Sequence, residues 1–508
     1  MGIIQKQSIQ SSLFIILGFL IGAINLLILF PLFFTKNDMG LVRALIDTGA
    51  TLSVFCTLGT LPVVYKFYPF YNQYLGARKN DLPLITFLVN MTGFAILLVL
   101  GWQQKDFIIR KLGKSPSFAA HFSYVYPYTF FLLLFIWLEA FAWGLRKGVY
   151  TNFLRETAIR IITTFLILAY GLKWISLTNF IALYSGVYLI PTLLLLYSLI
   201  KSKQWYLYRF QLSSVTKRLS KRMINFALFV FAGQFFNMLA RTNDTFLIFG
   251  LRGLSDTGIF AIATYVSAIL EIPQRSLTSI SIPILAVSWK NKDFANIKHI
   301  YHKSVSNLLA IGLFCFGLIW LNIENLVSFL NWVSHKESGG YDALTNLIFI
   351  LGLAKLIDLA TGVNGQIIGT SNYWRFDFLT NVFYIILSLP LNYVLIKNYG
   401  LEGLAFSNLF ALIIYNSMRF GFLYKKFNLQ PYTLKHALFL VLSLALMASI
   451  HFGLHLDNIF WNLFIRSGLY IICFAGMTIW INPAPDILEL VKKVLTVKIP
   501  GLFKQTQK

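Results

Sequence analysis

The sequence predicts an all-α polytopic membrane protein of about 14 transmembrane helices, arranged as two six-helix lobes followed by two further helices. Three observations carry this: the composition, the length of the apolar blocks, and a turn motif that occurs at the same point in both halves. Apolar residues fill 57% of 508 positions and charged residues only 12%, against roughly a quarter charged in soluble domains. Aromatics reach 17%, with 48 Phe. Such a chain has too little polar surface to cover a soluble globule.

The apolar residues arrive in blocks close to the ~20 residues needed to cross ~30 Å of hydrocarbon at ~1.5 Å per helical residue. The blocks place spans at 12–34, 42–67, 83–102, 122–144, 157–174, 177–200, 224–250, 257–284, 304–322, 343–369, 377–396, 401–424, 435–455 and 459–481. The second, eighth and tenth contain Pro, Gly or charges, which softens their edges. The first run, Leu13 to Phe34, is too long for a signal core and lacks a small-residue cleavage site, so it is expected to stay as a span.

The net charge of +24 does not mark a nucleic-acid binder. Lys and Arg sit mostly between the apolar runs, where cytoplasmic loops of membrane proteins collect them, and no nucleic-acid-binding module accompanies them. Counting alternate connections gives 26 Lys and Arg on the side of the N-terminus and ten on the other, with seven in the spans. That asymmetry predicts N-in, C-in topology in a cytoplasmic membrane. Cys56, Cys315 and Cys473 are scattered in apolar runs, with no spacing for a metal or a disulfide framework, and read as small buried residues.

The longest cytoplasmic connection, 201–223, carries seven basic residues and divides the chain. The expected organisation is a lobe over 1–200, the linker 201–223, a second lobe over 224–424, and two extra helices with a cytoplasmic tail over 425–508. The halves share a signature. Asp38-Met39-Gly40-Leu41 joins spans one and two, and Asp256-Thr257-Gly258-Ile259 joins spans seven and eight. Each reads as an outside turn, with Asp as N-cap and Gly for the tight bend. Parallel repeats of this kind build several transporter folds.

Four segments resemble the multidrug/oligosaccharidyl-lipid/polysaccharide exporter superfamily, and within it the Wzx-like O-antigen and polysaccharide flippases. They are Thr35-Lys36-Asn37-Asp38-Met39-Gly40-Leu41; the Arg-Lys-Gly-Val-Tyr-Thr-Asn-Phe-Leu-Arg-Glu-Thr-Ala-Ile-Arg run from Arg146 to Arg160; Asn243-Asp244 through Gly258-Ile259-Phe260; and Pro390-Leu391-Asn392-Tyr393 to Tyr399-Gly400-Leu401-Glu402-Gly403-Leu404-Ala405. The family's usual Ile-Pro before the Tyr-Gly turn is Ile396-Lys397 here. The resemblance implies two lobes around a central cavity and alternating access driven by an ion gradient or the membrane potential. It also implies a lipid-linked saccharide as substrate, with membrane lipids and glycan-assembly proteins as partners. No Gly-x-x-x-x-Gly-Lys-Ser/Thr loop is present, so no ATP site or other cofactor is expected.

Charged residues inside spans are the candidate site, because each costs at least ~2.5–3.5 kcal/mol at mid-bilayer and needs a partner or a cavity. Span seven carries Asn237, Arg241 and Asp244. Arg241 lies some 17 residues in from the start of its span and shares a helix face with Asp244. It is either a cavity cation for an anionic headgroup or half of a self-neutralised pair. Span eight offers Glu271 and Arg275 around Pro273, either a gate or an interfacial salt bridge. Span ten offers Lys355 and Asp358, three apart, with Gly362, Asn364, Gly365 and Gln366 following. Asn237, Arg241, Arg275 and Lys355 are substrate-binding candidates, and Asp244, Glu271 and Asp358 are candidates for coupling or gating. Glu139 and Arg160 stand on different spans and could pair. Arg466 is expected to be structural or to snorkel toward the interface. Tyr65, Gln234 and Asn237 could serve as sugar-stacking or hydroxyl-binding groups.

Arg presents bidentate donors to phosphate oxygens, so a cation-bearing cavity suits a saccharide on a polyprenyl (pyro)phosphate. This makes a flippase for surface-polysaccharide or lipopolysaccharide biosynthesis the leading reading. A drug exporter would set carboxylates against cationic drugs, and is the alternative. A membrane-embedded polymerase or ligase would need a polar outer loop with acid–base residues. Only 103–121 and 323–342 have length, and the latter offers Glu324, His335, Glu337 and Asp342 without recognisable spacing.

Overall fold

The computed structural model describes residues 3–103, 115–145, 147–203, 205–207, 211–334, 340–454, 456 and 458–486. Among these, all regular structure is helical, and each of the fourteen expected spans falls on a helical stretch. Eleven helices are individually long and apolar enough to cross a membrane, or twelve with the bent pair Leu254–Ala268 and Glu271–Lys290 taken as one span. Two features account for the remaining difference.

The first is the helix Trp374–Phe427, which folds back at Gly400. In a straight helix, residues 34 apart would be separated by about 50 Å. Here the Tyr415 hydroxyl donates to Asn381 Oδ1 at 2.8 Å, and Ser407 bonds to Asn392. Gly400, at φ 66° and ψ −147°, occupies backbone space that side chains avoid, so the predicted Tyr-Gly turn separates spans eleven and twelve. The second is the fifth span. It runs unbroken from Gly148–Asn152 through a π-helical turn, Phe153–Ala158, into Ile159–Gly171.

Three spans are broken where the sequence carries Gly, Pro or charge. The second divides into Lys36–Cys56 and Thr60–Leu75. Its freed polar groups find partners, as they must in lipid: Thr57 donates to Val54 O at 2.7 Å and Thr60 to Asn90 Oδ1 of the third span at 2.6 Å. The eighth bends by 52° between its two halves. Pro273 cannot tolerate a carbonyl four residues earlier, at Ile269, and the break falls there. The tenth stops at Ala360 and resumes over Asn364–Gly369.

The chain packs as two compact units, one built on Met1–Ala261 and the other starting at Ile262. The core of the first is formed by Tyr68, Phe135, Phe141, Leu195 and Leu199 from spans two, four and six. The helix Ser214–Leu251 belongs to this unit. Its N-cap is Ser213, whose backbone N–H donates to the buried Asp81 at 2.8 Å, as does the Thr216 hydroxyl. A carboxylate at a helix N-terminus also meets the positive end of the helix dipole.

In the second unit, Leu313, Phe316, Leu356, Phe439 and Tyr470 join spans nine and ten to the last two. Arg466 is wholly buried there. It donates to the carbonyls of Leu454 (2.6 and 2.8 Å), His451 and Leu321, and to Glu324 at 3.4 Å. The structural reading of this residue holds and the lipid-facing one does not. Cys56 is buried, whereas Cys473 is exposed on the surface of its helix, contrary to expectation.

The repeated Asp-x-Gly motif is built differently from the expected turn. Thr35, not Asp38, is the N-cap of Lys36–Cys56, and Asp38 closes a capping box with it. Gly40 and Gly258 both lie inside helices, where they let Lys36–Cys56 and the start of Leu254–Ala268 approach until backbone meets backbone.

Candidate functional site

In the second unit, spans eight, ten and twelve converge on a polar network. Glu271 opens the helix Glu271–Lys290, where a carboxylate is favoured by the dipole. It accepts from two cations: Arg275 Nη2 at 2.7 Å, one turn along its own helix, and Lys355 Nζ at 2.5 Å from span ten. The expected intrahelical pair is present, but Lys355 has turned it into an inter-helix link. Lys355 does not pair with Asp358. Residues three apart lie only about 60° from one another around a helix, yet these two side chains reach different neighbours.

Asp358 accepts from Gln274 Nε2 at 2.9 Å and from Asn416 Nδ2 at 3.0 Å. Among the described residues it forms no ion pair. Asn416 also accepts from Thr361 at 3.0 Å and Asn364 at 3.1 Å, so the break in span ten is tied to span twelve. On the same twelfth span Arg419 pairs with Asp377 of span eleven and lies 4.0 Å from the centroid of the Tyr415 ring. Gln274, Asn416, Asp377 and Arg419 were not singled out in the sequence. The polar residues of spans eleven and twelve are spaced like many in the chain, and only the hairpin at Gly400 brings them together.

In the first unit, Asn237 and Arg241 are both exposed on the helix Ser214–Leu251. Among the described residues Arg241 forms no ion pair, so the self-neutralised Arg241–Asp244 pair does not form. One turn further, Thr245 donates to Asp47 Oδ2 at 2.6 Å. The same oxygen accepts from Arg43 Nε at 2.7 Å, and Thr51 and Thr242 bond at 3.0 Å. Spans two and seven are therefore joined by buried polar contacts directly beyond Arg241. Arg43 and Asp47 escaped the sequence reading because an i,i+4 pair near a span end resembles an ordinary interfacial bridge.

Glu139 and Arg160 do not pair. Glu139 takes Arg155 at 2.7 Å, and Arg160 takes Glu156 at 2.9 Å. Arg155 stands in the π-helical turn Phe153–Ala158, five residues before Arg160, and it is Arg155 that meets Glu139 of span four. Arg146, His335, Glu337 and residues 104–114 lie outside the described residues. Glu324 is committed to Arg466, and Asp342 bonds to Asn331. Among the described residues no cluster of His, Cys, Asp and Glu is placed to hold a metal ion. The chemistry available is that of cations for an anionic group and carboxylates able to exchange a proton or a monovalent cation.

The backbone is similar to that of the lipid II flippase MurJ in its inward closed conformation, with a TM-score of 0.69 and 17% identity over 93% of this chain and 98% of that one. It is also similar to an inward-facing multidrug resistance MATE family transporter of the MOP superfamily (TM-score 0.52, 13% identity, 84% and 97% covered). The MATE multidrug transporter DinF-BH gives a TM-score of 0.50 at 15% identity, again covering 84% and 97%. No family model and no curated protein sequence matches the chain. The chain thus has the fold of MOP-type transporters, and at these identities the likeness extends to the fold alone.

Proposed function

We propose that this chain is a flippase that carries a polyprenyl-(pyro)phosphate-linked oligosaccharide from the cytoplasmic to the outer leaflet of the cytoplasmic membrane by alternating access, for surface-polysaccharide or lipopolysaccharide assembly. The observation that carries this reading is Arg241: an exposed guanidinium, without an ion-pair partner among the described residues, on an apolar membrane helix. An uncompensated cation at that depth costs several kcal/mol unless a ligand or water relieves it, and a phosphate meets its paired donors bidentately. The Wzx-like segments and the likeness to a lipid II flippase along nearly the whole chain support a lipid-linked cargo.

Glu271, Asp358 and Asp244 are the groups through which an ion gradient would drive the cycle, and Lys355 and Arg275 are the counter-charges of Glu271. The excess of basic residues on one side supports an N-in, C-in orientation. The test is transfer of a polyprenyl-pyrophosphate saccharide across proteoliposomes: Arg241→Ala should slow it at least tenfold and Arg241→Lys less, while unchanged transfer in Arg241→Ala removes the residue from the site.

A second reading, an ion-coupled exporter of cationic drugs, draws on Asp358. Two neutral amides hold this carboxylate, leaving its charge uncompensated among the described residues. It predicts efflux of a cationic dye that fails in Asp358→Asn. A chain that moves no dye contradicts it.

A further inference from the structure

Spans two, four and five of the first unit end or begin together, and a second group of side chains assembles there. Tyr65 and Trp143 stack with ring centroids 5.4 Å apart and planes inclined by 17°. Both remain open, at 42% and 44% exposure. Glu139, one turn before Trp143 on the same face of its helix, is 2% exposed and accepts Arg155 Nη1 at 2.7 Å through Oε2. Its other oxygen, Oε1, is buried with no hydrogen-bond partner among the described residues. The Arg155 side chain is 39% exposed and engages Glu139 through one nitrogen, leaving further donors of its guanidinium fork available.

We infer that Tyr65, Trp143 and Arg155, backed by Glu139, form a subsite for a neutral sugar ring of the cargo. Sugars bind proteins by laying an apolar C–H face on an aromatic ring while their hydroxyls meet charged hydrogen-bonding groups, and both halves of that arrangement are adjacent here. Glu139 Oε1 is a buried acceptor without a partner among the described residues, and such an atom calls for an explanation, which a sugar hydroxyl supplies here. Arg155 stands in the π-helical turn Phe153–Ala158, an irregularity concentrated at functional positions.

The simpler account of an exposed Tyr–Trp pair near a span end is a lipid-interface anchor. Anchoring Trp residues direct their indole N–H at headgroups, whereas Trp143 commits its own to Thr151 Oγ1 at 3.0 Å. That bond fixes the ring edge-on to the protein and leaves only a ring face to offer. In the N-in orientation this cluster lies at the cytoplasmic ends of its spans, where a cargo made in the cytoplasm would first be met. The subsite rests on the lipid-linked cargo reading and names the part of the cargo that it holds.

The test uses the full chain in lipid nanodiscs and two probes: polyprenyl pyrophosphate bearing a neutral disaccharide, and the same polyprenyl pyrophosphate without sugar. Trp143→Ala and Tyr65→Ala should each weaken the sugar-bearing probe about tenfold, the equivalent of ~1.4 kcal/mol, and leave the bare probe within twofold. Trp143→Phe keeps a stacking face and should stay within threefold for both, which separates lost stacking from a damaged fold. Equal weakening of both probes, or no weakening of either, overturns the subsite while the cargo reading stands. A wild-type chain that binds neither probe overturns the cargo reading and the subsite with it.

Discussion

Gly40 and Gly258 close on each other reciprocally. A β-carbon on Gly40 would strike the carbonyl of Leu254 and lie 3.0 Å from the amide of Gly258; one on Gly258 would strike the carbonyl of Lys36 and lie 3.1 Å from the amide of Gly40. Lys36 and Leu254 each precede their glycine by four residues, so the contact obeys a local two-fold relation between the two copies of the Asp-x-Gly motif. The obstacle on both sides is backbone, which cannot swing aside as a side chain can. Gly40→Ala or Gly258→Ala should therefore cost on the order of 1–3 kcal/mol by overpacking. Thermal unfolding of the purified chain in detergent reads this as a clear fall in Tm, and an unchanged Tm in both variants would contradict the close approach.

Asp81 ties the start of Ser214–Leu251 to the connection between spans two and three. Asp81→Ala leaves the buried Ser213 N–H without its acceptor, a loss of about 1–3 kcal/mol, and takes from the Thr216 hydroxyl one of its partners while Tyr71 and Ser213 remain. Asp81→Asn keeps an acceptor oxygen and should cost less. Denaturation midpoints of the two variants should fall in that order. The reverse order would show that charge repulsion, not capping, dominates at the site.

Arg466 has no role in transport on this account. Its guanidinium is satisfied by the Leu454, His451 and Leu321 carbonyls and by Glu324. Arg466→Ala strands those acceptors and removes a buried packing element, so the expected change is a loss of stability with the apparent KM for cargo unchanged. A shift in KM at unaltered stability would place Arg466 on the substrate path.

The Glu271–Lys355 link and the Asp358 cradle make separable predictions. Glu271→Gln removes the common acceptor of Arg275 and Lys355, and should abolish turnover. Adding Lys355→Met removes one stranded cation and should restore part of it, a coupling that a double-mutant cycle measures. Asp358→Asn should leave facilitated movement down a cargo gradient intact while removing its acceleration by an imposed ion gradient. Retained acceleration would take Asp358 out of the coupling group.

The span positions were legible because crossing hydrocarbon demands ~20 apolar residues, and Tyr399-Gly400-Leu401 marked its turn through a backbone conformation that Gly alone adopts readily. Breaks at Pro273 and Gly362 were foreshadowed by those residues. Which charges meet was not legible. Helical spacing places Lys355 and Asp358 on neighbouring faces, but the partner of each is set by which helix lies opposite, and that depends on packing 84 or 58 positions away in sequence. The π-helical turn at Phe153–Ala158 leaves no compositional trace, and Arg155, which pairs with Glu139 in place of Arg160, stands within it.

The most direct test of the account is a comparison of cargoes in one preparation. The wild-type chain, reconstituted in proteoliposomes with the same imposed ion gradient, is offered a polyprenyl-pyrophosphate disaccharide and, separately, a cationic dye. The account predicts that the lipid-linked saccharide crosses the bilayer, that Arg241→Ala slows it at least tenfold, and that the dye stays where it is. Movement of the dye with no movement of the saccharide would contradict it.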